Sequence, residues 1–104
     1  MLSGSTMLIT VTGRKTGRSY TTPVNFVRRG NDLYVISRPE RTWWRNLRLA
    51  ARATVFLEGR EYGAQGEVVS PNDAQLRAAA TGTRVAKAIA AHPDWPVIHV
   101  TLDE

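Results

Sequence analysis

Three cations crowd into one six-residue stretch, Gly13-Arg14-Lys15-Thr16-Gly17-Arg18. Arg offers a planar fork that matches phosphate or carboxylate, and Lys a mobile point charge. Like charges at this spacing repel unless an anion lies nearby. Two glycines permit a tight turn with positive φ, whose backbone N–H groups can add an anion-binding concavity. The chemistry on offer is therefore anion binding at a hairpin. A solvated turn that keeps a sheet edge from aggregating is the alternative. A Walker loop is excluded, because the Gly-x4-Gly-Lys-Ser/Thr spacing is missing and the stretch opens a strand.

A second cationic cluster follows. Arg38, Arg41, Arg45, Arg48 and Arg52 step by three and four residues, which on a helix stacks five like charges along one stripe. Trp43, Leu47 and Ala50 share the opposite face, with Trp44 beside them. An anionic partner would relieve the repulsion.

Little else in the chain can carry covalent chemistry. The two histidines, His92 and His99, fall close together in the last fifth of the sequence, and no Gly-x-Ser-x-Gly elbow is present. His92 reads as a helix C-terminal residue and His99 as a surface strand residue. There is no cysteine, hence no disulfide, thiolate nucleophile or Cys-ligated zinc. No cluster of His or carboxylates has metal-ligand spacing, and the nine acids mostly occupy turns and termini. No residue is assigned a catalytic role. Such a chain suits chemistry carried by a bound cofactor.

The elements that must position these residues are mostly strands. Met7 to Thr12, Ser19 to Val27 and Leu33 to Ser37 alternate or run apolar between turn signals, and read as a three-stranded meander. Pro23 cannot donate to a ladder, so it belongs at an edge, a bulge or a ligand cleft. Pro39 to Arg52 reads as helix. Ala53 to Leu57 and Glu61 to Val69 are the next strands, with Gly63 and Gly66 marking a bulge or a close backbone approach. Ser70-Pro71-Asn72-Asp73 predicts a helix start with Ser70 as N-cap. That helix is interrupted near Thr81-Gly82 and resumes from Thr83 to Ala91, lying across a barrel mouth or at a subunit contact. Val97 to Leu102 is the last strand, with Ile98, Val100 and Leu102 inward. Six strands with two helical inserts suit a small, mainly β (α+β) barrel, residues 1–104 forming one domain.

The 104 residues can bury one modest core, and 42% apolar with 22% charged content is close to the globular norm. Net charge of +5 favours anionic ligands of any kind. No apolar run approaches the roughly 18 residues of a membrane span. The first residues lack the charged and apolar regions of a signal peptide, so a soluble, cytoplasmic protein is expected.

The order of motifs resembles the flavin/deazaflavin oxidoreductases, specifically the deazaflavin-dependent nitroreductase group. The matching segments are Leu8-Ile9-Thr10-Val11-Thr12 with the basic turn, Pro23, Tyr34-Val35-Ile36-Ser37, Trp43-Trp44-Arg45-Asn46-Leu47 and Val55-Phe56-Leu57-Glu58-Gly59. The resemblance implies a six-stranded split β-barrel, FMN-binding and pyridoxamine-phosphate-oxidase-like. It implies binding of coenzyme F420, a deazaflavin with a phosphodiester and an oligoglutamate tail. Arg14, Lys15, Thr16, Gly17 and Arg18 would then hold the phosphate and tail. Ser37 and Arg38 would lie along the ring and linker, Pro23 near the ring, and Trp44, Arg45 and Asn46 would close the site. The implied reaction is hydride transfer to a small-molecule electron acceptor such as a quinone, nitro compound or enone. The resemblance also admits a homodimer. FMN or another flavin in the same barrel, with or without turnover, is the alternative. A basic nucleic-acid-binding barrel is a third reading, opposed by the tryptophans sharing a face with Leu47; no nucleic acid is expected.

Overall fold

The computed structural model describes residues 6–13, 17–41, 43–48, 51–70, 73–74, 76 and 84–103. Alternating apolar residues produce the strands. In β1 (Thr6–Thr12), Met7, Ile9 and Val11 are buried while Thr6, Leu8 and Thr12 are exposed. β2 (Ser19–Asn25), β3 (Val27–Arg29), β4 (Asp32–Ile36), β5 (Ala51–Leu57), β6 (Arg60–Val69) and β7 (Val97–Leu102) complete one seven-stranded sheet. Its order is β2-β1-β5-β6-β7-β4-β3, and every pairing is antiparallel.

This order explains the curl of the sheet. β2 and β3 are the two edge strands, yet only Phe26 separates them in sequence. The chain leaves one edge at Asn25 and joins the other at Val27, so the edges must meet at a bend. The buried Phe26 fills that bend and belongs to the main core. The result is a curled half-barrel with seven strands where the sequence reading expects six. The expected meander is divided: β1–β2 form a hairpin at one edge and β3–β4 a hairpin at the other.

The inner face carries Ile9, Val11, Leu33, Val35, Val55, Leu57, Ile98, Val100 and Leu102, so β7 faces inward as its alternation requires. β6 pairs without a bulge. Gly66 serves instead for close approach, since a Cβ there would sit 2.9 Å from Leu47 Cδ1.

The expected helix over Pro39 to Arg52 is replaced by a 3-10 helix of five residues, Trp43–Leu47. Pairing of Ala51 with Gly66 and Arg52 with Gln65 draws the following residues into β5, and Arg52 bonds Asp103 instead of joining a stripe. Sheet pairing thus wins over a run of like charges. Trp43 and Leu47 are buried, as their shared face requires, while Ala50 lies outside the described residues.

Helix α1 (Arg84–Ala91) packs on the outer face of the sheet, not over a barrel mouth. Ala86 and Ile89 meet a second core of Tyr34, Leu76 and Val97. Ahead of it, the Leu76 N–H donates to Asp73 Oδ1 at 3.0 Å, so Asp73 supplies a capping oxygen. The expected interruption near Thr81-Gly82 falls outside the described residues. Among those residues, no helix is long and apolar enough to cross a membrane.

His99 is held more firmly than a surface residue. Its ring stacks on Tyr34 with centroids 4.7 Å apart, and Nε2 lies 2.8 Å from Asp32 Oδ1. Burial, then the carboxylates of Asp32 and Asp73, pushes the Tyr34 hydroxyl above its ordinary pKa. The hydrogen bond from Arg52 holds the exposed Asp103 carboxyl below its ordinary value.

Candidate functional site

A cleft of about 290 Å³ opens where β2, the end of β4, the segment before the 3-10 helix and the turn before β7 converge. Sequence neighbours do not explain this meeting; the curl does, by bringing edge strand β2 alongside β4. Thr22, Pro23, Val24 and Asn25 come from β2, Ile36, Ser37 and Arg38 from β4 and its exit. Arg41, Trp43 and Trp95 complete the lining.

Each contributor has a local reason for its place. Pro23 sits on an edge strand opposite Leu8, where its missing N–H costs no ladder bond. The Ser37 N–H donates to the Pro96 carbonyl at 3.0 Å, pinning the end of β4 to the turn before β7. The Ser37 hydroxyl is buried and donates to the Arg38 carbonyl at 3.2 Å. Arg38 is exposed, with Glu40 4.0 Å away. Trp43, buried in the main core, forms the inner part of the cleft, and half-buried Trp95 its rim.

The structure therefore brings Pro23, Ser37 and Arg38 together. Trp44, Arg45 and Asn46 lie in the 3-10 helix without lining this cleft. Arg45 and Arg48 lie over the Trp44 ring at 5.8 and 5.3 Å, and Asn46 Nδ2 donates to the Trp43 carbonyl at 3.3 Å. Trp44 Nε1 is buried with no hydrogen-bond partner among the described residues. Trp95, Thr22, Asn25 and Arg41 are cleft residues to which sequence reasoning gave no site role, since their partners are distant in the chain. Arg41 alone carried a signal, as a member of the arginine series.

Arg14, Lys15 and Thr16 lie outside the described residues. The turn's flanks are described: the Gly13 N–H donates to the Arg18 carbonyl at 2.7 Å, and Gly17 adopts φ +70°. Along β2, the rise of an extended chain puts Arg18 roughly 14–24 Å from Thr22 to Asn25. One edge strand thus joins a basic turn to a cleft with an aromatic base and two arginines. A flat ring bearing an extended anionic tail fits that donor set: apolar and aromatic walls for the ring, a hydroxyl and guanidinium groups for oxygen atoms.

The family profile of the F420H(2)-dependent quinone reductases matches residues 1–96. The chain belongs to that family. No curated protein matches it significantly.

Solved structures share its fold at low identity. The heme storage protein HutZ from Vibrio cholerae superposes with a TM-score of 0.76 at 11% identity, over 96% of this chain and 82% of that one. A Listeria innocua protein assigned as a pyridoxamine 5′-phosphate oxidase gives 0.68 at 14%, over 96% and 85%. An FAD-binding protein from Mesorhizobium loti gives 0.59 at 15%, over 96% and 80%. The curled sheet is thus that of the pyridoxamine-phosphate-oxidase-like split barrels.

Proposed function

We propose that this protein is an F420-dependent reductase that passes a hydride to a small electron-poor acceptor, a quinone above all. The observation that carries the reading is the β2 edge, which joins the basic turn to a cleft lined by Pro23, Ser37, Arg38 and Trp43. Family membership supports it.

When bound, the reduced deazaflavin supplies the hydride. Pro23, Val24 and Ile36 offer flat apolar contact that orients a ring and keeps water from it. The Ser37 hydroxyl can accept a hydrogen bond while its own O–H donates to the Arg38 carbonyl. Arg38 and Arg41 favour negative charge, on a phosphodiester or on the oxygen of an acceptor being reduced. Arg14, Lys15, Thr16, Gly17 and Arg18 are assigned to the phosphate and acidic tail, and Trp44, Arg45 and Asn46 to the outer support of the site. A homodimer belongs to the same reading: the cross-strand neighbours Leu8 and Phe56 stand exposed, and sedimentation velocity would register the dimer.

The test is a titration with oxidised F420, FMN and a short single-stranded DNA at two salt concentrations. The expected result is saturable F420 binding, tighter than FMN, that persists at moderate salt. FMN binding in preference would move the protein to flavin chemistry. Steeply salt-dependent DNA binding without F420 affinity would recast the arginines as a nucleic-acid surface.

A further inference from the structure

We infer that Trp95, backed by His92, is the platform on which the acceptor's ring stacks, and that it tunes the site to flat, electron-poor rings such as naphthoquinones over aliphatic acceptors. This rests on the reductase reading. Trp95 lines the cleft and is half-buried, whereas Trp43 at the inner end is almost wholly buried. A second reactant can only approach a ring in the cleft from its solvent side, where Trp95 stands. Indole is electron-rich, so an electron-poor ring gains from offset stacking against it.

The platform is fixed before any ligand arrives. The Trp95 and His92 rings are parallel within 6°, with centroids 3.7 Å apart. The backbone holds both: the His92 N–H donates to the Ala88 carbonyl at 2.8 Å, ending α1, and the Trp95 N–H donates to the His92 carbonyl at 3.1 Å. The Pro96 carbonyl then accepts from Ser37 N–H. The indole is thus tied to the same β4 end that supplies Ser37, and ordering it on binding costs little entropy. His92 is not part of the cleft lining; it positions Trp95.

The experiment compares wild type, W95F, W95L and H92A, each checked for fold by thermal melting. Equilibrium dialysis measures menadione and oxidised F420 affinity separately. Steady-state kinetics compares menadione with cyclohexenone. The chain has no cysteine, so menadione has no thiol to alkylate.

W95L is expected to raise the menadione dissociation constant and KM about tenfold, the worth of a good aromatic pair. The cyclohexenone KM and the F420 affinity should stay within about threefold, W95F should recover most of the loss, and H92A should fall between. A menadione affinity unchanged in W95L overturns the inference. So does an F420 affinity that falls as far as the menadione affinity, since Trp95 would then hold the cofactor. If wild type binds no F420, the reductase reading fails; menadione binding that W95L abolishes still upholds the platform, and no menadione binding overturns it too.

Discussion

Leu47 occupies the space that a side chain on Gly66 would need. A Cβ there would meet Leu47 Cδ1 at 2.9 Å and Cδ2 at 3.3 Å, and Leu47 is fully buried. The 3-10 helix can therefore seat on β6 only because that position is glycine. G66A is expected to cost about 1–3 kcal/mol through overpacking, read as a lower urea midpoint. G63A is the control. Its Cβ would meet the ends of the exposed Asp103 and Arg52 side chains, which can move aside. The double variant G66A/L47A should lose less than the sum of the single variants, because removing the leucine opens the room that the methyl needs.

Phe26 sits at the bend where the chain passes from one sheet edge to the other. It is buried in the main core and is the only residue between β2 and β3. F26A should cost about 3 kcal/mol in chemical unfolding, as truncation of a buried aromatic leaves a cavity. F26L, which keeps most of the volume, should cost less than half of that. Equal losses for the two would show that the bend does not depend on filling this space.

Alternation makes β1 and β7 legible in the sequence, because each has one buried and one more open face. Gly30 lies in the turn of the β3–β4 hairpin with φ +62°, as its neighbours Asn31 and Asp32 suggest. The split between β2 and β3 is not legible: the residues of Ser19 to Val27 look like one strand, and only closure of the whole sheet places its ends on opposite edges. The arginine series misleads for a related reason. Its helical spacing is real, but hydrogen bonding of Ala51 and Arg52 to β6 outweighs local preference. Of the cleft, Pro23, Ser37 and Arg38 could be named from motifs. Trp95 could not, because its place depends on the turn that the Ser37–Pro96 bond secures.

The Arg52–Asp103 pair links β5 to the end of β7, and the hydrogen bond holds the Asp103 carboxyl below its unfolded value of 3.8. A depressed carboxylate contributes stability above its unfolded pKa and loses it as pH falls through the folded value. Thermal melts of wild type should therefore decline more steeply on acidification below about pH 4 than those of D103N. Both side chains are exposed, so added salt should shrink the difference.

Tyr34 titrates in the opposite sense. Burial and the Asp32 and Asp73 carboxylates raise its hydroxyl pKa above 10.0. A folded value above the unfolded one means stability is intact below about pH 10 and is lost as pH rises through the folded value. The phenolate absorbance that wild type shows and Y34F lacks should rise above pH 10 and coincide with unfolding. A Tyr34 signal complete before unfolding would contradict the assignment.

Ser37 and Arg18 stand at opposite ends of the path that β2 makes, and they should divide the cofactor between them. S37A removes a buried hydroxyl in the cleft and should weaken F420 about fivefold, the value of one hydrogen bond. It should weaken the deazaflavin nucleoside, which lacks phosphate and tail, by the same factor. R18A acts on the charged part only, so it should weaken intact F420 by a similar amount and leave the nucleoside unchanged. Because the Arg18 contribution is exposed and Coulombic, raising the salt should erase its effect and spare that of Ser37. Fluorescence titration of both ligands at two salt concentrations measures all four quantities. If R18A weakens the nucleoside as much as intact F420, the tail does not run along β2 toward the basic turn, and the cleft and the turn are separate sites.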